Sequence, residues 1–196
     1  MKTFKTVIRT LMVATIAIFF TLTFFEYKNQ VISQAEASVP KKPNFEHTNN
    51  QQFLDNVLQC VDYVYYKNKD FEKVNVELLI AQAALESGWG DSRFAKVGKN
   101  LFGIRTYDLQ QPHMLPSNTP KKWGVRVYEH ECYSVEHYIK ILNNGSSFED
   151  YRKLREDGID DPFILVETLG AYASDKDYFP KVKSIIKKIR KEYNIQ

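Results

Sequence analysis

Cysteine is scarce in this chain of 196 residues: there are two, Cys60 and Cys132. A fold stapled by a framework of disulfides is therefore excluded. Glycine (8) and proline (7) are also few, while aromatic residues reach 14%. That composition excludes collagen-like, low-complexity and disordered chains. The length suits one domain with a sizeable core plus a short extra segment. Most of the chain also lacks a basic field. The formal net charge is +3, but six of the 27 basic and two of the 24 acidic residues fall in residues 1–43. The remainder holds 21 basic against 22 acidic residues, a balance of −1. A nucleic-acid-binding domain carries a basic surface of its own, so no nucleic-acid partner is expected.

Several site signatures are missing as well. The four histidines (His47, His113, His130 and His137) show no HExxH spacing, so no metal site is expected. There is no Walker A sequence, no GxGxxG and no GxSxG, and Cys132 lies in no nucleophile motif. No cofactor is expected.

The N-terminus carries Lys2, Lys5 and Arg9, followed by the uncharged run Leu11 to Phe25. Basic, then apolar, then polar is the order of a secretory signal or a signal anchor. The run is short of the roughly 20 apolar residues of a full span. Ala35-Glu36-Ala37 fits a small-x-small cleavage site. Residues 1–37 thus read as signal peptide or membrane anchor, and the rest as exported, to the periplasmic face of the inner membrane or the cell envelope. Export permits a Cys60–Cys132 bridge, and two buried free thiols fit the sequence equally well. Residues 38–50 (SVPKKPNFEHTNN) read as a polar linker.

From residue 51 to 196 the pattern is mostly helical. Phe53, Val57, Cys60, Val61 and Val64 recur at helical spacing. Asn75 can cap a second helix that stops near Gly88, and Ser92 a short third. The middle is strand-like, with Leu101 to Arg105 and the alternating Trp123 to Tyr128 as two strands joined by a long loop. Ser134 can cap the next helix. Asp161-Pro162 signals another, from Phe163 to Tyr172, and Lys176 to Tyr193 makes the last. A mostly helical body with a small β-hairpin lobe is an α+β arrangement. The basic run Lys181 to Lys191 on the last helix is normally a solvated face, with anionic wall polymers or lipid headgroups as its other possible partners.

Glu86 follows the apolar run Leu78-Leu79-Ile80-Ala81 and sits at the predicted helix end. The negative end of the helix dipole and apolar neighbours both disfavour its charge. A carboxylic acid kept protonated near neutral pH can donate a proton to a leaving group. An ordinary solvated glutamate at a helix end is the bland alternative.

The run Ala81-Gln82-Ala83-Ala84-Leu85-Glu86-Ser87-Gly88-Trp89-Gly90, then Ser92-Arg93-Phe94-Ala95, then Asn100-Leu101-Phe102-Gly103, resembles the glucosaminidase branch of the lysozyme superfamily, glycoside hydrolase family 73. Bax-type bacterial proteins are especially similar. Val125 to Tyr128 and Ala171-Tyr172-Ala173-Ser174-Asp175-Lys176-Asp177-Tyr178 extend the resemblance, which covers roughly residues 52–190. It implies a lysozyme-like domain that hydrolyses peptidoglycan glycan strands after N-acetylglucosamine. Glu86 falls on the family's general acid, and Tyr172 on a tyrosine that lines its cleft. Phe102, Gly103, Tyr178 and Trp89 are candidate cleft wall, with Trp89 better suited to packing beneath the catalytic helix.

The chain departs from many relatives in one respect. They place a second glutamate in the β lobe, but Gly103 to Tyr128 contains none. Glu129, with Asp108 in reserve, is the candidate second carboxylate. The substrate's own acetamido group, or a water held by a tyrosine, is the alternative. A monomer is expected, with peptidoglycan and, through residues 1–37, a membrane as partners. A lytic transglycosylase and a non-catalytic wall-binding scaffold are rival readings.

Overall fold

Asn49 opens the first helix of the domain by accepting the Gln52 N–H at 3.0 Å on its side chain. In the computed structural model, which describes residues 19–30, 39–116, 122–170 and 175–193, that helix is α1, Asn50–Lys67. The chain divides into two compact units, Met1–Pro40 and Lys41–Gln196. In the first unit, residues 19–30 are helical and expose Phe19, Phe20, Leu22, Phe24 and Phe25. Among the described residues no helix is long and apolar enough to cross a membrane. Most of the leader expected at 1–37 lies outside the described residues.

In the second unit α1 buries Phe53, Leu54, Val57, Cys60, Val61 and Val64. The next helix, α2 (Val76–Ser87), starts where the Asn75 side chain accepts the Leu78 N–H at 2.9 Å. It ends at Gly88, whose φ of +59° is the left-handed cap that glycine adopts readily. Residues Leu78 to Ala84 are buried on every side, so α2 is the central helix. It packs against α1 and against α7 (Tyr178–Glu192). A short α3 (Arg93–Lys96) follows, capped by the Ser92 hydroxyl.

The β lobe differs from the expected two-stranded hairpin. Strands β1 (Arg105–Thr106), β2 (His113–Met114) and β3 (Gly124–Arg126) form an antiparallel sheet in the order β1-β3-β2. Arg105 pairs with Val125, and His113 with Arg126. The connection expected as a loop supplies β2, which is too short for its alternation to be read between Pro112 and Pro116. Gly124 makes this pairing possible, because a Cβ there would lie 2.5 Å from the His113 ring.

Helix α4 (Glu131–Asn144) begins earlier than expected. His130, not Ser134, caps it: Nδ1 accepts the Cys132 N–H at 3.1 Å, while Nε2 donates to the Pro43 carbonyl at 2.9 Å. Ser134 instead lies within the first turn, donating to the Glu131 carbonyl and accepting the Leu101 N–H. The expected linker is also partly tied down, since the Glu46 carbonyl accepts from Asn56 and Phe45 meets Phe53 edge-on. Cys60 and Cys132 form a disulfide that joins α1 to α4.

Helices α5 (Glu149–Glu156) and α6 (Pro162–Leu165) complete the body, and α6 runs into a 3-10 turn, Val166–Thr168, instead of continuing to Tyr172. On α7, Lys181, Lys183, Lys188 and Arg190 face Asp175, Glu167, Glu192 and Glu77. The basic run is largely neutralised by its neighbours.

Candidate active site

Glu86 is the penultimate residue of α2, and Gln82 stands one turn before it on the same face. Helical spacing therefore lines up an acid and an amide. Glu86 is half-buried, whereas Gln82 is wholly buried. Burial pushes the Glu86 carboxyl above the usual carboxylate range. Two neighbours pull it part of the way back, the Tyr178 hydroxyl and then the charge of Arg105.

Tyr178, at the start of α7, is 4% exposed and its phenol is held well above its ordinary pKa, chiefly by burial and then by the Glu86 charge. Its hydroxyl accepts from Gln82 Nε2 at 2.6 Å. Tyr178 is thus a buried partner of Glu86 rather than cleft wall.

The loop over Glu86 is shaped by Asn100. Its Nδ2 donates to the carbonyls of Ile104 (3.0 Å) and Arg126 (2.8 Å). Its Oδ1 accepts the N–H groups of Phe102 (3.2 Å) and Ile104 (3.1 Å). One buried side chain thus closes the Phe102–Ile104 turn and ties it to β3. Within this turn Gly103 has φ +63°, and a Cβ there would lie 3.7 Å from Glu86 Oε2. The backbone of the β lobe therefore approaches the acid directly. Phe102 is 1% exposed and stacks on Tyr138 at 4.2 Å between ring centroids. It supports the turn from beneath, so its face is not offered to a sugar.

Arg105, the first residue of β1, is exposed, with its guanidinium 4.2 Å over the Trp123 ring. It supplies positive charge beside Glu86. Trp89 packs between Phe53 and Tyr193, with Lys188 over its ring. Glu129 is exposed and lines a separate cavity of about 510 Å³ with Arg126, Tyr128, His137 and Lys140. Asp108 uses its carboxylate to accept the Gln110 N–H at 3.0 Å, fixing a turn. Tyr172 lies outside the described residues.

Cys60, His130 and Cys132 cluster tightly enough to suggest a metal site. Their ligand atoms are already committed, because the sulfurs are bridged and both His130 nitrogens are hydrogen-bonded. Sequence reasoning gave no role to Asn100, Arg105, Gln82 or Tyr138. The one signal available was Gln82 itself, a polar residue inside an apolar run four positions before the acid.

Glu86 thus stands at the end of a central helix beside a small antiparallel sheet, in a mostly helical α+β domain of lysozyme-like fold. The chain belongs to the glucosaminidase family, described as mannosyl-glycoprotein endo-beta-N-acetylglucosaminidase, which matches residues 63–191. It is 28% identical over 159 residues to the exo-glucosaminidase LytG of Bacillus subtilis, covering 75% of this chain and 54% of that protein. It is 31% identical over 138 residues to the peptidoglycan hydrolase FlgJ of Vibrio parahaemolyticus, covering 63% and 44%. The chain thus spans about half the length of these curated relatives. The catalytic domain of the autolysin Auto from Listeria monocytogenes superposes with a TM-score of 0.55 at 28% identity, over 83% of this chain and 94% of that one. The glycoside hydrolase domain of Salmonella typhimurium FlgJ shares the fold, with a TM-score of 0.53 at 22% identity over 74% and 90%.

Proposed function

We propose that this protein hydrolyses the glycan strands of peptidoglycan at the β-1,4 bond after N-acetylglucosamine, with Glu86 as general acid. One observation carries the reading: Glu86 is a carboxylic acid held above its usual pKa beside the turn that carries Gly103. Names of relatives in the family support the substrate, since they include a peptidoglycan hydrolase and an exo-glucosaminidase.

Glu86 protonates the glycosidic oxygen as the bond to the anomeric carbon breaks. The positive charge that develops there needs a partner. In our reading that partner is the substrate's own acetamido oxygen, which attacks the anomeric carbon and is displaced by water as Glu86 takes a proton back. Tyr172 is our candidate to hold that acetamido group, with Glu129 the alternative second carboxylate. Phe102, Gly103, Tyr178 and Trp89 shape or support the cleft. A disulfide suits an oxidising compartment, which supports export to the cell envelope through residues 1–37, as signal or anchor.

The test is mass spectrometry of fragments released from purified peptidoglycan by residues 38–196, beside E86Q. Reducing N-acetylglucosamine ends, lost in E86Q, are expected. Anhydro ends would replace hydrolysis by transglycosylation. Binding without release would leave a wall-binding scaffold.

A further inference from the structure

On α7 the basic residues meet acidic neighbours, but one cavity beside the β lobe gathers charges that do not pair. Tyr133, Glu136, His137 and Lys140 recur at helical spacing on the outer face of α4, opposite the buried Val135, Ile139 and Leu142. Arg126, the last residue of β3, Tyr128 just beyond it and the exposed Glu129 form the other wall. The space between is about 510 Å³, within the range that small ligands fill. One hydrogen bond ties the two walls, 2.7 Å between the Tyr128 hydroxyl and His137 Nδ1. Burial, then the charges of Arg126 and Lys140, hold the His137 imidazole below its ordinary pKa, so it adds no charge near neutral pH. Among the described residues Arg126, Lys140, Glu129 and Glu136 form no ion pair.

The cavity lies close to the acid. The Arg126 N–H donates to the Ile104 carbonyl at 2.9 Å, and the Arg126 carbonyl accepts from Asn100. Ile104 follows Gly103, whose Cβ would stand 3.7 Å from Glu86 Oε2. One strand spacing, about 5 Å, therefore separates the Arg126 backbone from the turn beside Glu86. A group branching from a sugar held at Glu86 has only that strand to cross. We propose that this cavity binds the short peptide stem that branches from the peptidoglycan glycan strand, with Arg126 and Lys140 receiving its carboxylates and Glu136 its free amine. A neutral sugar makes no use of unpaired charges. A phosphate polymer would be repelled by Glu129 and Glu136. A peptide with carboxylates and an amine meets both signs, and Arg126 can receive a carboxylate through two parallel N–H donors. Lys42 and Lys67 stand 4.8 and 5.6 Å from the Tyr133 ring, which tips the local balance toward carboxylates. This inference rests on peptidoglycan as the substrate and adds a preference for strands that carry stems.

The probe is the free tetrapeptide stem released from purified peptidoglycan. It holds no glycosidic bond, so its binding is read without activity. NMR of the imidazole resonances of the full-length protein, with His137 assigned by its absence in His137→Gln, reports on the cavity directly. The His137 resonance should move saturably as the peptide is added. Binding should be about tenfold weaker in Lys140→Glu and in Arg126→Gln, the worth of one charge-assisted hydrogen bond. The peptide with its carboxyls amidated should bind more weakly by about the same factor or more. Activity gives a second readout: stripping the stems from the glycan should cost the wild type about tenfold in kcat/KM and cost either variant little. No saturable shift overturns the inference, as does wild-type affinity in the folded variants. Equal binding of inorganic phosphate or of an N-acetylglucosamine tetramer also overturns it, in favour of an anion site or a sugar subsite. Should neither variant fold, the amidated peptide decides, since it needs no substitution. Peptide binding by a protein that cuts no glycan would instead sink the hydrolase reading and leave the ligand of the cavity in place.

Discussion

Breaking the Cys60–Cys132 bridge is the perturbation whose size follows most directly from the structure. The two sulfurs are separated by 72 positions in sequence and both residues are 0% exposed. Closing a loop of that length removes conformational freedom from the unfolded chain worth about 4 kcal/mol in the loop-entropy account. Domains of this size have total stabilities of about 5–15 kcal/mol, so the bridge supplies at least about a quarter. The melting temperature should fall by about 8–16 °C, at roughly 2–4 °C per kcal/mol. The assay is urea unfolding of residues 38–196, oxidised and then reduced and refolded under thiol. Two further signs are fixed in advance. The reduced protein should show a larger denaturant dependence, because its unfolded chain is more expanded. Reduction of the folded protein should be limited by unfolding, since no thiol reaches a bridge buried between α1 and α4. Equal midpoints before and after reduction would refute the reasoning, as would reduction at the rate of an exposed disulfide.

Other predictions concern the site. Folding holds the Glu86 pKa above its unfolded value, so the native state is favoured by protonation and loses stability as pH rises from the unfolded to the folded value. E86Q should therefore match the wild type below about pH 4 and exceed it near neutrality while losing activity, which melting curves across pH will read. R105A removes the charge that lowers the Glu86 pKa, so the basic limb of the pH–rate profile should move upward, with the direction of the shift deciding the matter. G103A fits without a clash but forces alanine to φ +63°, for a loss of about 1 kcal/mol in denaturant unfolding and a further upward shift of Glu86 by shielding. N100A strips four hydrogen bonds from a buried turn and should cost about 2–4 kcal/mol, with kcat falling as the turn loosens. An N100A protein of wild-type stability would contradict that account of the turn.

What was legible in the sequence follows the range over which each cause acts. Glu86 could be singled out because its causes are local: a helix end, an apolar run before it and a motif around it. Asn75, Ser92 and Asp161 could be named as caps because a cap bonds its own first turn. Ser134 failed as a cap because His130, held from the other side by the Pro43 carbonyl 87 residues away, takes the Cys132 N–H first. Strand β2 was invisible because two residues cannot display a period, and its place depends on the absence of a Cβ at Gly124. The Cys60–Cys132 bridge stayed open for the same reason, since only the packing of α1 on α4 brings the sulfurs together.

The two buried hydrogen bonds of Gln82 are the extreme case. They join residues 56 and 96 positions apart, so no window on the sequence contains them. Yet each link obeys a local rule, that a buried amide must have both ends met. The central helix supplies that amide four residues before the acid, on the same face. Its partners, Tyr138 and Tyr178, tie α2 to α4 and α7 behind that face. Replacing Gln82 with a leucine of similar bulk takes this bond from two buried hydroxyls and should cost about 1–3 kcal/mol in denaturant unfolding. A Q82L protein of wild-type stability would contradict this account of the core.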